Sequence, residues 1–188
     1  MAINLEKGKG INLSKGLSQV RMTCQWDTNA DVDISCFVLN GGTKELEGKA
    51  LREEDFIFYN NKVYPNGAVK HLGDCRDGSK QDGDDETIEV DLNKLEPDRN
   101  EVLFVISIND AIQNNQHLGN IGNVICTLYD VSNNKSLATY KCNEDLYGEV
   151  AGKLCKVVKD NNGWSFVAVG KPSGGLEEMI FDVGLSCK

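Results

Sequence analysis

Residues 102–108 read VLFVISI, apolar at every position except Ser107. A run this short, rich in β-branched residues and carrying one aromatic, suits a strand covered on both faces in the middle of a sheet. Its neighbours extend the pattern. VRMTCQW at 20–26 alternates as a half-buried strand should, and ISCFVL at 34–39 ends at Asn40-Gly41-Gly42, a hairpin-type turn signal. FIFY at 56–59 closes at Asn60-Asn61, and the runs at 124–129 and 137–142 pair around Val131-Ser132-Asn133-Asn134. At 149–158, Val150, Leu154 and Val157 fit helical spacing. Gly148 and Gly152 would each cost a helix about 1 kcal/mol, and the turn signal Asp160-Asn161-Asn162-Gly163 that follows decides for a strand. WSFVAV at 164–169 supplies its partner, and only 175–181 reads as a helix. The sequence INLEKG at 3–8 returns as INLSKG at 11–16, which we read as two strand-turn units at a sheet margin. The expectation is an all-β fold, a β-sandwich of two antiparallel sheets with a short C-terminal helix, in one domain over 1–188.

Composition narrows the function. Of 188 residues, 40% are apolar and 26% charged, as in ordinary soluble globular chains. No apolar stretch approaches the ~20 residues of a membrane helix, and the N-terminal sequence lacks the apolar core and cleavage site of a secretory signal. Twenty-nine acids against twenty bases give −9, a sign that argues against a nucleic-acid backbone as partner. Seven scattered cysteines, with no C-x-x-C and no histidine beside a cysteine pair, read as reduced thiols in a cytoplasmic protein, several of them buried.

The charge is concentrated. Residues 74–91, DCRDGSKQDGDDETIEVD, hold eight acids against Arg76 and Lys80, two-thirds of the chain's net charge. Gly73, Gly78 and Gly83 allow this segment to fold back so that its carboxylates converge. Two carboxylates held ~4–5 Å apart repel by roughly 3–4 kcal/mol at an effective dielectric of about 20. With few bases nearby, a hard cation is the least costly compensation. Carboxylates and carbonyls without His or Cys suit Ca²⁺ or Mg²⁺, and a long acid- and glycine-rich loop favours Ca²⁺. Asp31-Val32-Asp33 opens a strand with both carboxylates on one face, and Asp27 precedes it. An EF-hand register fails: with Asp74 first, Arg76 and Lys80 fall on ligand positions.

These residues resemble a known family. Trp26-Asp27, the run Asp31-Val32-Asp33 with ISCFVL, then FIFYNN at 56–61, are similar to the TerD domain of tellurite-resistance and stress proteins. So are His71-Leu72-Gly73-Asp74, Gly83-Asp84-Asp85-Glu86 and WSFVAVG at 164–170, in the same order and over nearly the whole chain. The resemblance implies a β-sandwich binding calcium in acidic loops at one end, working in the cytoplasm beside other Ter-type proteins, including a membrane-embedded partner. Carried over by position, it implies Asp31, Asp33, Asp74, Asp84, Asp85 and Glu86 as ligands, with Asp27, Asn60 and Asp77 as further candidates. Cys75 stands where the family pattern has Asn, and Glu86 has the alternative of supporting the site from behind.

The function expected is therefore a non-enzymatic calcium-binding module, with two ions ordering a partner-binding surface. The rival is a metal-dependent phosphoesterase using His71, in a loop beside the acidic run, as its base. A nucleotide-binding protein is the third reading, against which no basic, glycine-rich phosphate cradle is visible.

Overall fold

The computed structural model describes residues 2–73 and 86–186. Within them the chain forms two six-stranded sheets facing each other, with a seven-residue helix on the outside of one. Sheet A has the order β1 (Ile3–Leu5), β10 (Lys135–Lys141), β9 (Ile125–Asp130), β3 (Gln19–Gln25), β7 (Glu86–Asp91), β6 (Val69–His71). Sheet B has the order β2 (Gly10–Asn12), β12 (Gly163–Ser173), β11 (Ala151–Asp160), β8 (Glu101–Ile108), β4 (Val32–Leu39), β5 (Phe56–Ile57).

The expected sandwich is the observed one, with two refinements. The repeated INL segments do lie at margins, but of different sheets: β2 runs antiparallel to β12, whereas β1 runs parallel to β10. Sheet A is thus not wholly antiparallel, because one short N-terminal strap sends its first arm to one sheet and its second to the other. The turn after Asn40 is also no tight hairpin. Asn40 bridges to Lys49, and the chain then passes through a 3-10 turn at Glu53–Asp55 before β5.

The VLFVISI stretch lies inside sheet B between β11 and β4, with Val102 opposite Val38 and Ile106 opposite Ile34. Its unbroken hydrophobicity has a direct cause, since sheet B is covered on both faces. Ile34, Cys36, Val38, Phe104 and Ile106 face sheet A in the main core. Phe37, Leu39, Leu103 and Val105 face outward beneath Met179 of α1 (Leu176–Asp182) and Val183 just after it. The helix is fixed at its end by an ion pair from the buried Lys153 to Asp182 at 2.7 Å. The ammonium's hydrogen bond holds the Asp182 carboxyl below the usual aspartate value. The 149–158 segment is strand from Ala151 onward, and β11 closes on β12 through a two-residue turn at Asn161-Asn162, with Gly163 at φ +115°.

Alternation, masked by charge in the sequence, governs β7. Glu86, Ile88 and Val90 point inward while Thr87, Glu89 and Asp91 are half exposed. The last six residues of the acidic run are therefore a paired strand, not loop.

Among the described residues five cysteines are buried and free: Cys24, Cys36, Cys126, Cys142 and Cys155. Four of them belong to the main core, Cys24 lying opposite Cys126 across the β3–β9 pairing, with Cys142 and Cys155 in the same cluster. Hydrogen bonding to Cys126, reinforced by burial, pushes the Cys24 and Cys142 thiols well above their ordinary range, and burial alone does so for Cys36. Neutral, enclosed thiols are poor nucleophiles. Iodoacetamide at pH 8 is thus expected to leave these five unmodified in the native protein and to label all five in guanidinium chloride, as read by peptide mass spectrometry.

Candidate functional site

Strand register brings the candidate residues to one end of the sandwich. Gln25 at the end of β3 lies opposite Ile125 at the start of β9, and Cys24 opposite Glu86 at the start of β7. Val32 at the start of β4 pairs with Ile108 at the end of β8, and His71 ends β6 opposite Ile88. The connections over residues 26–31, 109–124 and 142–150 thus emerge together, beside the end of β6 at His71 and the start of β7 at Glu86. Asp27, Asp31 and Asp33 lie at this end, and the turn carrying the exposed Asn60 is directed there by the pairing of β5 with β4. Asp74, Asp77, Asp84 and Asp85 lie outside the described residues.

Two buried side chains of sheet A hold the mouth of this end together. Strand β5 pairs with Cys36 and Phe37 only, which leaves the edge of β4 unpaired at Ile34. Glu86 and His71 fill the gap. The Ile34 N–H donates to Glu86 Oε2 at 2.6 Å, and His71 Nε2 donates to the Ile34 carbonyl at 3.0 Å. Nε2 also lies 3.6 Å from Glu86 Oε2, with both side chains 1% exposed. A carbonyl only accepts, so this contact places the imidazole proton on Nε2. One backbone residue thus has its donor and its acceptor satisfied by two side chains from the opposite sheet. The pair also bounds residues 72–85 on both sides, fixing where that segment leaves the body and where it returns.

Asp33, in β4, and Asp31, just before the strand begins, lie one residue to either side of the buried Val32. The Asp31 carboxylate accepts from Asn109 Nδ2 at 3.1 Å, and its backbone carbonyl accepts from the Asn109 N–H at 2.8 Å. Asp27 accepts from Asn123 Nδ2. Gly122, at φ +75°, packs against Asp27, where an added Cβ would stand 3.1 Å from the aspartate Cβ. Trp26 is buried behind these acids and donates from Nε1 to the Ala30 carbonyl at 3.0 Å, closing the 26–31 loop over the core.

Charge is handled differently at the two ends. At the opposite end the buried Asp55 receives Arg99 at 3.1 and 3.2 Å, and the buried Glu101 faces Lys156 at 3.4 Å. At the acidic end, among the described residues, neither Asp27 nor Asp31 is joined to a base; each takes a neutral amide instead. No group of three His, Cys, Asp or Glu side chains among the described residues is arranged to hold a metal ion by itself.

The loop histidine of the sequence reading is neither exposed nor in a loop. His71 is 4% exposed and ends β6, and its Nε2 is engaged by Ile34. His117, the other imidazole, lies against the Tyr147 ring at 5.2 Å. Sequence reading missed the staple because its partners, Ile34, His71 and Glu86, are remote along the chain. The usable signals were an isolated His in a polar setting and an acid opening an alternating run.

This geometry defines a class: a two-sheet β-sandwich with acidic side chains collected on the loops of one end. The comparisons give it a family. The TerD domain profile matches residues 1–182, and the chain belongs to the TerD family. It is 35% identical to General stress protein 16U of Bacillus subtilis (strain 168) over 196 residues, 98% of each chain. It is 32% identical to Tellurium resistance protein TerD of Serratia marcescens over 196 residues, 99% of each. Among solved structures, a homologue of telluride resistance protein (TerD) from Streptomyces coelicolor A3(2) superposes with a TM-score of 0.62 at 19% identity. That match covers 82% of this chain and 89% of that one, and it bears on the fold alone. No helix among the described residues is long and apolar enough to cross a membrane.

Glu86→Ala is expected to leave the buried Ile34 N–H unpaired, at a cost of about 1–3 kcal/mol. At this chain length that lowers the melting temperature by roughly 2–10 °C by calorimetry. Glu86→Gln, whose amide oxygen can still accept from Ile34, is expected to recover most of the loss.

Proposed function

We propose that this TerD-family chain is a non-enzymatic calcium-binding module of the tellurite-resistance and stress response, whose ions order the acidic end as a surface for a partner. One observation carries the reading. The buried Asp55 and Glu101 at the far end are matched by arginine and lysine, whereas Asp27 and Asp31 are matched by asparagine amides. Amides orient carboxylates without neutralising them, which suits a site whose positive charge arrives as an ion.

In this reading Asp31 and Asp33 provide the fixed part of the ligand set on the rigid start of β4. Asp74, Asp84 and Asp85 complete it from the segment that His71 and Glu86 bound on either side, with Asp27, Asn60 and Asp77 at its margin. Glu86 closes the set; its Oε2 is committed to Ile34, so its part is to anchor the returning chain. All these donors are hard oxygens, in keeping with Ca²⁺, and their number accommodates two ions. Other Ter-type proteins, one of them embedded in the membrane, are the partners and the cytoplasm the setting. The phosphoesterase reading is weakened because the Nε2 of His71, its intended base, already serves a backbone carbonyl.

Titration calorimetry of the full chain with CaCl₂ is expected to show saturable uptake. At 100 times Kd the ion should add about 2.7 kcal/mol of stability, roughly 5–10 °C in melting temperature, reversed by a chelator. The double variant Asp31→Asn with Asp33→Asn is expected to abolish the shift. A melting temperature indifferent to calcium contradicts the proposal.

A further inference from the structure

We infer that the acidic end docks a basic amphipathic segment of a partner protein, anchored by apolar side chains on either side of the acids. This rests on the reading of that end as a partner surface and adds the chemistry of what it takes.

Among the described residues, four exposed apolar side chains stand around this end. Ile112, 88% exposed, lies in the connection leaving β8, and Tyr147, 71% exposed, in the connection entering β11. Tyr59 follows β5, and Leu72 follows β6 at the opposite edge of the sheets. In sheet B the order β11, β8, β4, β5 puts Asp31 and Asp33, at the start of β4, between the two flanks. Three interstrand spacings of about 4.8 Å separate β11 from β5, so the flanks are roughly 15 Å apart. That span fits about ten residues of helix or five of extended chain.

Tyr147 is built as an anchor. Despite its exposure, its ring lies against the His117 ring, and any side chain at Gly119 would strike it, since an added Cβ would stand 2.3 Å away. A large aromatic held in one orientation loses little freedom on binding.

Charge selects the occupant. Asp27, Asp31, Asp33, Asp110, Glu144 and Glu149 belong to this end, against Lys62 and Lys141. Two divalent ions would bring the chain only from −9 to −5. A surface that stays acidic when loaded, with an apolar anchor on each side, favours lysine- or arginine-rich polypeptide over an anionic lipid face.

The test uses the full chain in millimolar calcium and a labelled twelve-residue peptide, lysine-rich in its middle with tryptophan and leucine at both ends. A second peptide has glutamate for every lysine, and the third ligand is phosphatidylserine vesicles. Fluorescence anisotropy is expected to show micromolar binding of the lysine peptide and none of the glutamate peptide. Tyr147→Ser and Ile112→Ser should each weaken it about fivefold or more, with melting temperature unchanged. Equal binding by the variants, equal binding of the glutamate peptide, or calcium-dependent vesicle binding without peptide binding overturns the inference. Calcium uptake measured alone on the same samples separates this outcome from failure of the calcium reading.

Discussion

The arrangement at the acidic end depends on what happens at Ile34. A β-sandwich can gather loops at one end only if its two sheets are locked together there, and the edge of β4 is left bare where β5 stops. Left alone, Ile34 would bury an unpaired donor and an unpaired acceptor, each costing about 1–3 kcal/mol. Glu86 and His71 supply both partners from the facing sheet. The same two contacts set the start of β4, and hence Asp31 and Asp33, against the exit and return points of residues 72–85. A satisfied buried polar network of this kind specifies one relative placement of the sheets, whereas apolar packing would tolerate several.

This constraint explains an economy in the chain. The molecule uses arginine and lysine freely where a buried carboxylate has only to be stable, as at Asp55 and Glu101. Asparagine amides orient Asp27 and Asp31. The thiols fit the same division. Four of them, Cys24, Cys126, Cys142 and Cys155, are enclosed in the main core in the role of small apolar residues.

The sandwich was legible because its strands announce themselves by alternation or by unbroken hydrophobicity. The 102–108 run reads as doubly covered, and it is, between the core and the α1 face. Less legible was β7, whose inward Ile88 and Val90 are diluted by acids that sequence reading assigned to the loop. The parallel docking of β1 was not legible at all, since nothing in three residues says which sheet they join. At the site, residue type and spacing drew attention to Asp31 and Asp33, and strand register places them at the end where the acidic segment begins and returns. The role of His71 escaped because its partner is a backbone carbonyl 37 positions away, which its local sequence does not name.

The chain has two tryptophans, and they lie at opposite ends: Trp26 behind the acidic loops, and Trp164 just after the turn that joins β11 to β12. Terbium, a luminescent stand-in for Ca²⁺, emits when excited through a tryptophan close by. The account predicts terbium emission under tryptophan excitation that calcium displaces, retained in Trp164→Phe and lost in Trp26→Phe. Emission that survives Trp26→Phe and disappears with Trp164→Phe, or no calcium-displaceable emission at all, would contradict it.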